Sequence, residues 1–226
     1  MKILTVSDKV EKIFFKDTVF QEKCNGINLI LACGDLPPYY LEFLVNSLNV
    51  PLYYVPGNHD DKYCQSASSN GLYVQGCENI DQRVIAFKGL LIGGFGGSFR
   101  YRNGQYLYTE AQMHRRALKM IPGLLANKIK YKRYIDILIT HAPPFGINDD
   151  KDLAHRGFKE FLTFIKTYKP TYFIHGHTTP RQGTEMTMSS YYSTGIINTN
   201  PYKILEIDNV SIRRQYNQRG GKETSA

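Results

Sequence analysis

The sequence of 226 residues has only four cysteines, and none of them shows the C-x-x-C spacing of a zinc knuckle. It also lacks the charged, apolar and small-residue segments of a signal peptide, and no apolar run reaches 18 residues. We therefore predict a cytoplasmic protein without a membrane span. Its cysteines are predicted to be reduced structural thiols rather than disulfides or zinc ligands.

Three other features are missing. The glycines at 93, 94, 96 and 97 are not followed by the Lys and Ser/Thr of a phosphate-binding P-loop, and no helix is predicted to begin there. The sequence has neither an internal repeat nor a linker. We therefore predict one domain over residues 1–216, followed by a disordered tail at residues 217–226.

The balance of charge favours anionic partners. The formal net charge is +8 and the pI is about 9.2, which suits phosphate esters or nucleic acid. The densest basic segment lies in a predicted helix, where long cations usually face water; it comprises Arg115, Arg116, Lys128, Lys130, Lys132 and Arg133. Because no basic and aromatic stripe is present to follow a nucleic-acid strand, we predict a small phosphorylated substrate, with a nuclease as the alternative. No membrane partner is predicted.

Side chains that bind metals occur where five short apolar runs end. Carboxylates, amides and imidazoles are poor core residues but good metal ligands. The five junctions are Asp8 after residues 3–6, Asp35 after residues 29–32, Asn58 after residues 52–55, His141 after residues 135–139 and His177 after residues 172–174. Since the runs are predicted strands that alternate with amphipathic segments, we expect an α/β fold with one convergent site at the strand ends.

Some other elements can be predicted from local patterns. Thr109 is a suitable N-cap for a long helix, and residues 158–168 form an amphipathic helix pattern. Residues 94–108 are rich in Gly, Tyr and Arg without periodicity, which predicts a long surface loop. Residues 202–208 and 210–214 are predicted to form a closing hairpin.

In order and spacing, the five junctions resemble the motifs of the calcineurin-like metallophosphoesterases over roughly residues 1–208. The most specific part is Gly57-Asn58-His59-Asp60 following Gly34-Asp35. The resemblance implies a four-layer sandwich of two mixed β-sheets flanked by helices, with metals at the strand ends. It implies one or two divalent transition-metal ions, Mn, Fe, Zn or Ni, and these ligands: Asp8, Asp35, Asn58, His141 and His177.

The resemblance also implies an activity. The expected reaction is hydrolysis of a small phosphomonoester or phosphodiester, such as a nucleotide-like ester, by a metal-activated hydroxide. A carboxylate such as Asp35 can bridge two cations, which together acidify water and neutralise phosphate charge. By the same analogy His59 is the proton donor for the leaving oxygen, and Asp60 orients His59.

Two departures from the family pattern fall on the same metal. The first family motif usually reads D-x-H, but Val10 stands at its histidine position. The last motif usually reads G-H-x-H, but Thr179 stands at its second histidine position. The first metal site is left with Asp8 and the bridging Asp35, whereas the second site keeps its full set: Asp35, Asn58, His141 and His177.

The departures leave three alternatives open. In the first alternative the first metal is absent, or it is held weakly through carboxylates and water. In the second alternative this metal site has gained replacement ligands from the following set: Glu11, Asp61, His155 and His175. In the third alternative the protein is a catalytically impaired scaffold or ligand-binding module, as in the phosphoesterase-like subunit of the retromer coat. The retention of His59 and Asp60 favours the enzyme.

Residues around the centre are candidates for substrate binding. Arg100 lies in the predicted loop with Ser98, Tyr101 and Arg102, and Arg beside Tyr suits a phosphate that carries a ring. His155 and Arg156 precede a predicted helix and are either substrate contacts or helix caps. The acidic residues just before them, Asp149, Asp150 and Asp152, are predicted to be solvated, with an extra metal site as the alternative.

Overall fold

The computed structural model describes residues 1–64, 73–180 and 188–207. Within these ranges there are two 3₁₀ turns, Lys12–Phe15 and Asp60–Tyr63. The helices are α1 (Asp17–Cys24), α2 (Pro38–Leu48), α3 (Glu110–Tyr131) and α4 (Lys159–Tyr168). The strands are β1 (Lys2–Val6), β2 (Ile27–Ala32), β3 (Leu52–Tyr54), β4 (Glu78–Asn79), β5 (Val84–Phe87), β6 (Leu90–Phe95), β7 (Ser98–Phe99), β8 (Leu107–Tyr108), β9 (Ile137–Thr140), β10 (Tyr172–His175), β11 (Ser189–Tyr191), β12 (Thr194–Asn198) and β13 (Tyr202–Glu206).

The strands form two large mixed sheets. The first has the order β13-β1-β2-β3-β4, and the second has the order β11-β12-β10-β9-β6-β5. In the first sheet β1, β2 and β3 are parallel, and in the second β6, β9 and β10 are parallel. The antiparallel pairs, such as β1 with β13 and β5 with β6, lie toward the edges. Each sheet therefore directs the carboxyl ends of its central strands to one edge.

Alternating side chains build four layers. Ile3 and Leu29 point into the space between the two sheets, where they meet Ile137 of the second sheet. Their neighbours Leu4 and Ile30 point the other way, into a cluster with α1 and α2. The second sheet likewise packs its outer face on α3 and α4. This period-two burial confirms the predicted sandwich of two mixed sheets flanked by helices.

The helix boundaries follow local chemistry. Thr109 and Gln112 form a capping box at the start of α3, with each side chain bonded to the other's backbone N–H. Such a box satisfies two of the orphan donors at a helix N-terminus. The structure thus confirms Thr109 as the N-cap and the helix predicted over residues 158–168, of which α4 forms all but the first residue.

Two predictions about connecting segments need amendment. The loop predicted over residues 94–108 contains the parallel pair β7–β8, because Ser98 and Arg100 donate backbone bonds to Tyr106 and Tyr108. The first strand of the predicted closing hairpin is present as β13 and pairs with β1. Its second strand, residues 210–214, lies outside the described residues, as do the end of the predicted domain and the tail at residues 217–226.

The basic segment is not one continuous surface. Arg115, Lys128 and Lys130 are exposed on α3, as predicted for cations on a helix. Arg116 instead bonds both carboxylate oxygens of Asp81 at 2.6 Å, and Arg133 is buried. Within the described residues no helix combines the length and the apolar character needed to cross a membrane. All four cysteines are free thiols.

The buried ion pair of Arg133 and Asp136 fastens the start of β9 to the second sheet. Asp136 accepts Arg133 Nε at 2.7 Å and the Leu91 backbone N–H at 2.8 Å, and Arg133 donates to the Gly89 carbonyl at 2.6 Å. We predict that Asp136→Ala lowers the free energy of unfolding by about 3–5 kcal/mol, because it leaves a buried guanidinium unpaired. Urea denaturation followed by circular dichroism measures this loss.

A matched exposed pair provides the control. Glu78 lies 2.9 Å from Arg83, and both side chains are about half exposed, so Glu78→Ala is expected to cost at most about 1 kcal/mol. Equal losses in the two variants would show that burial of the Arg133–Asp136 pair has no special weight in the stability of the sheet.

Candidate metal centre

The five predicted metal ligands lie at the carboxyl ends of parallel strands. Asp8, Asp35 and Asn58 follow β1, β2 and β3 of the first sheet, and His141 and His177 follow β9 and β10 of the second. Three of them have positive φ angles: Asp8 at 64°, Asp35 at 58° and His177 at 68°. Residues other than glycine rarely adopt this region, and such backbone strain concentrates at functional sites.

The four ligands predicted for the second metal site are brought together. One ligand atom each of Asp35, His141 and His177 lies within 4.8 Å of the others. The amide oxygen of Asn58 lies 2.8 Å from His141 Nε2, and Asp35 Oδ2 lies 3.4 Å from the same nitrogen. The two sheets therefore contribute equally to one compact group of oxygen and nitrogen donors.

Backbone carbonyls fix which imidazole nitrogens face this group. His141 Nδ1 lies 2.7 Å from the Cys33 carbonyl, and His177 Nε2 lies 2.7 Å from the Ala154 carbonyl. A carbonyl oxygen can only accept, so each of these nitrogens carries a proton. His141 Nε2 and His177 Nδ1 are then the nitrogens left to bind a metal, as in sites whose ligands are oriented by outer hydrogen bonds.

The pKa values follow from burial and the Asp35 charge. Burial disfavours protonation of His141, but the charge and hydrogen bond of Asp35, the Asp8 charge and the Cys33 carbonyl together outweigh it and raise the His141 pKa to about 9. Burial opposes ionisation of Asp35, yet His141 holds the Asp35 pKa well below its usual range. Burial and the nearby His141 lower the pKa of His177 to about 3. Asp35 is thus ionised and His177 neutral, as metal binding requires.

The donor set fits a divalent transition metal. Asn58 Oδ1 and Asp35 Oδ2 are both acceptors that face His141 Nε2, so a positive charge is needed among them, from a second proton on His141 or from a cation. Carboxylate, amide oxygen and two imidazoles form a mixed set that suits Mn, Fe, Zn or Ni.

Asp8 stands apart from this set. Its Oδ2 accepts the backbone N–H of His177 at 2.9 Å, and burial raises its pKa. Within residues 1–64, 73–180 and 188–207, no group of three His, Cys, Asp or Glu ligands includes Asp8. Val10 packs against the core cluster on the helix side of the first sheet, whereas Thr179 is exposed to solvent.

The first two suspected replacement ligands have other partners. Glu11 accepts the backbone N–H of Ile13 at 3.3 Å and caps the first 3₁₀ turn. Asp61 faces Arg102 at 3.8 Å. Neither belongs to a metal-ligand group in the described part of the chain.

The two suspected histidines are also engaged. His175 is fully buried, and its Nε2 lies 3.2 Å from the Asn148 amide nitrogen; burial lowers its pKa to about 4. His155 Nδ1 lies 3.0 Å from Asp152, and both are exposed members of a second acidic group with Asp150. None of these contacts brings any of the four suspected residues to Asp8 as a replacement metal ligand.

His59 and Asp60 have different surroundings. The His59 backbone N–H donates to Asp35 Oδ1 at 2.8 Å, and its side chain is exposed beside the centre. Asp60 is buried, and its Oδ2 accepts the backbone N–H groups of Gly57 at 2.7 Å and Asp35 at 3.0 Å. Burial, with the nearby Asp35 charge, raises the Asp60 pKa to about 6. Asp60 thus ties two loops together instead of bonding the His59 imidazole, which corrects its expected role.

The predicted substrate residue Arg100 points elsewhere. Its Nε and Nη2 donate to the Leu107 carbonyl at 3.3 and 3.2 Å, which fastens β7 beside β8. Its neighbour Tyr101 lies closer to the centre, because its hydroxyl accepts Asn58 Nδ2 and Arg102 Nε, each at 3.4 Å. The sequence contained a signal for this contact as Tyr beside Arg, but the pattern did not identify Tyr101 as the residue that bonds Asn58.

His155 and Arg156 lie on the loop that follows β9. The His155 ring lies 5.1 Å from that of His177, centroid to centroid, so this loop borders the metal centre. Arg156 lies between the rings of Phe99 and Phe145, at 5.0 and 5.1 Å from their centroids. The structure thus places His155 beside the centre and Arg156 against these two phenylalanine rings.

The chain is similar to known proteins both in sequence and in fold. The family model for calcineurin-like phosphoesterases matches residues 1–180. No curated protein sequence matches the chain. One crystal structure aligns with a TM-score of 0.62 at 15% identity, over 90% of this chain and 94% of its own.

The chain also aligns with two solved structures of named proteins. The protein TT1561 of Thermus thermophilus aligns with a TM-score of 0.56 at 18% identity, over 88% of each chain. Vacuolar Protein Sorting 29 from Cryptosporidium parvum aligns with a TM-score of 0.43 at 13% identity, over 88% of this chain and 72% of its own. At 15% and 18% identity, the first two structures bear on the fold alone.

The geometry of the centre depends on Gly57, which lies against Asp35. A Cβ at Gly57 would overlap Asp35 Oδ1 and lie 2.5 Å from the Asp35 backbone nitrogen. We predict that Gly57→Ala displaces Asp35 and weakens Mn²⁺ binding by about 10- to 100-fold, as changes around metal ligands do. Isothermal titration calorimetry with Mn²⁺ measures the affinity.

Gly123→Ala is the control for an added methyl group. Gly123 lies in α3, and its added Cβ would meet only Val84, at an ordinary 3.7 Å. This change is expected to leave Mn²⁺ affinity unaltered and to stabilise the helix by up to about 1 kcal/mol. If Gly57→Ala bound Mn²⁺ with wild-type affinity, this result would contradict the prediction that metal binding depends on the close approach of Gly57 to Asp35.

Proposed function

The chain belongs to the calcineurin-like phosphoesterase family, and from this we propose that it hydrolyses a small phosphomonoester or phosphodiester with the help of a divalent metal. The observation that carries the proposal is the convergence of Asp35, Asn58, His141 and His177 from two sheets on one point. Their ligand atoms face each other closely enough that either a second proton on His141 or a cation is needed among them, and a bound cation stabilises this arrangement.

The four residues would hold the metal, with Mn²⁺ as the first candidate. When bound, a divalent cation supplies acidified water and draws charge from a phosphoester oxygen. The chain's own groups prepare for this chemistry: the Cys33 and Ala154 carbonyls hold the two imidazoles in the ligating tautomers. Asp60 holds the Gly57 and Asp35 amides and so keeps the loops in register.

His59 supplies the proton in this proposal. Its imidazole is exposed directly beside Asn58 and Asp35, so it can approach a phosphoester bound at the centre. A protonated imidazole there gives its proton to the departing ester oxygen, which makes that oxygen a better leaving group. Tyr101 bonds the Asn58 amide nitrogen and leaves the amide oxygen turned toward the centre.

The substrate is proposed to be a small phosphorylated molecule. The net charge of +8 attracts anions generally, but the cations of the basic segment are divided between an exposed group on α3 and the ion pairs of Arg116 and Arg133. That division argues against a continuous basic track for nucleic acid. The four free thiols suit a reducing compartment such as the cytoplasm.

A second candidate function is a metal-binding or ligand-binding module without catalysis. It is favoured by the state of the first metal site, where Val10 has joined the core and Thr179 is exposed. A centre with one cation loses the paired clamp on the attacking and leaving oxygens. In this reading the second metal site stays intact while turnover is lost.

Metal stoichiometry separates the alternatives for the first site. We predict one ion per chain after dialysis against Mn²⁺, because within the described residues Asp8 belongs to no group of three potential metal ligands. Elemental analysis of the dialysed protein measures the ratio. Two tightly bound ions per chain would show that Asp8 has gained ligands and that the two-metal arrangement holds.

Two alanine variants separate metal binding from proton transfer. His141→Ala is expected to remove metal and hydrolysis of bis-(p-nitrophenyl) phosphate together, because His141 is a buried ligand. His59→Ala is expected to retain the metal and to lower turnover by about 100- to 10,000-fold, the usual contribution of a general acid.

The control for both variants is His114→Ala, since His114 is exposed on α3 and pairs with Glu160. It should retain both metal and turnover. No hydrolysis by the wild-type protein above the His59→Ala level, with metal bound, would favour the binding module.

A further inference from the structure

The long helix α3 has a second apolar face that the core does not use. Its first apolar face packs on the second sheet through these buried residues: Met113, Ala117, Met120 and Leu124. Four other apolar residues recur at i, i+4, i+7 and i+11, which places them in one row along the helix: Leu118, Pro122, Leu125 and Ile129. This row, called the α3 stripe below, is about 16 Å long.

The α3 stripe is turned toward solvent. Ile129 is 75% exposed, Leu125 is 49% exposed and Leu118 is 46% exposed, and Pro122 between them is exposed as well. Single apolar residues scattered over a surface need no explanation, but a contiguous row marks a surface that binds something. A surface helix of a globular protein normally has one apolar face and an opposite polar one. The second apolar face of α3 therefore points to a partner.

Cations border the stripe on both sides. By the repeat of 3.6 residues per turn, Arg115, Lys119 and Lys130 follow it on one side and Lys128 lies on the other, and all four are exposed. Across the described parts of the chain, no carboxylate oxygen lies within 4.0 Å of any of these four cations. The charge that surrounds the stripe is thus uncompensated.

The one acid of α3 does not alter this balance. Glu110, at the start of the helix, accepts the backbone N–H of Glu160 at 2.6 Å. Glu160 is the one acid of the neighbouring helix α4, and its side chain is only 13% exposed, 2.9 Å from His114 Nδ1. The border of the stripe therefore has one sign of charge, which favours a partner of the opposite sign.

This charge argues against two occupants that the chain itself could supply. A second copy that paired through the same stripe would set Arg115 and the three lysines against the same cations of its partner, and like charges at an interface are repulsive. The C-terminal segment, residues 208–226, carries four cations and two acids. It is therefore also of the wrong sign.

An anionic membrane surface fits less well than a helix. Helices that lie in a membrane interface usually add Trp or Phe to the leucines of their apolar face, whereas the stripe contains no aromatic residue. The stripe is also narrow, because His114 and Arg115 adjoin it on its two sides and are exposed. A narrow row at i, i+4, i+7 and i+11 is the pattern on which a second helix packs its own side chains.

We propose that the α3 stripe binds an acidic amphipathic helix of another protein. Aliphatic side chains of that helix pack on Leu118, Leu125 and Ile129 and supply most of the affinity, since exposed ion pairs contribute little individually. Its Glu and Asp residues face the bordering cations and select the partner. The stripe lies on the outer face of the second sheet, so this interaction is independent of the proposed hydrolysis.

Three synthetic peptides of about 20 residues, long enough to form helix, test the proposal by fluorescence anisotropy. The first has leucines at i, i+4, i+7 and i+11 with glutamates on both sides; the second has lysines in place of the glutamates, and the third has alanines in place of the leucines. We expect the first alone to bind saturably, with an affinity that falls as salt is raised. Leu125→Gln should weaken its binding by about 10-fold, because a half-exposed leucine loses its apolar contact.

The chain offers a matched control and a second variant. Leu153 is exposed to the same extent as Leu125, at 49%, but lies in the loop after β9, so Leu153→Gln should bind the acidic peptide like the wild type. Ile129→Gln repeats the test at the most exposed position of the stripe, should Leu125→Gln fail to fold.

Several results overturn the inference. These are no binding of the acidic peptide, equal binding of the lysine peptide, and full binding by Leu125→Gln and Ile129→Gln. Binding of phosphatidylserine vesicles that requires Leu125, without binding of the acidic peptide, assigns the stripe to a membrane surface instead. A dimer in sedimentation velocity that Leu125→Gln dissociates assigns it to a second copy of the chain.

Discussion

The site depends on how closely the strand-end loops of the two sheets approach each other. At Gly176 of the second sheet an added Cβ would overlap Ser7 of the first, and at Gly57 it would overlap Asp35 within the first sheet, so neither loop has room for a side chain. The approach between the sheets allows Asp8 to accept the N–H of His177, and within the first sheet Asp60 accepts amides from two loops. Two sheets that pack through an apolar layer thus meet at one edge through glycine and backbone hydrogen bonds.

This close approach places several acceptor atoms next to one another, and a cation among them relieves their electrostatic repulsion. Asp35, Asn58 and two imidazole nitrogens face one another, while the protonated sides of both rings are committed to carbonyls. Burial keeps water from relieving the repulsion among these acceptors. In the absence of a metal, the raised pKa of His141, about 9, supplies the charge as a proton. Metal binding therefore displaces that proton, and affinity for the metal should fall as pH is lowered.

The sequence was sufficient to predict the layers and the strand ends that meet, but not the contacts of the residues at those ends. Strand-end motifs predicted the edge where Asp35, Asn58 and His141 meet, because parallel strands end together. It could not show that Asp60 bonds backbone amides or that Arg100 bonds the Leu107 carbonyl. Such contacts depend on the path of loops, which periodicity does not encode, and on pairings between residues far apart in the chain.

The fate of the lost first-site ligands bears on which retained residues indicate chemistry. Asp8 keeps a structural contact, since its carboxylate accepts the His177 N–H at 2.9 Å; its retention therefore requires no first metal. His59 has no such reason to be present: its side chain is exposed, and only its backbone bonds Asp35. A scaffold would gain nothing in stability from an exposed imidazole at this position. The retention of His59, more than that of Asp8, is therefore the feature on which the proposed reaction at this centre depends.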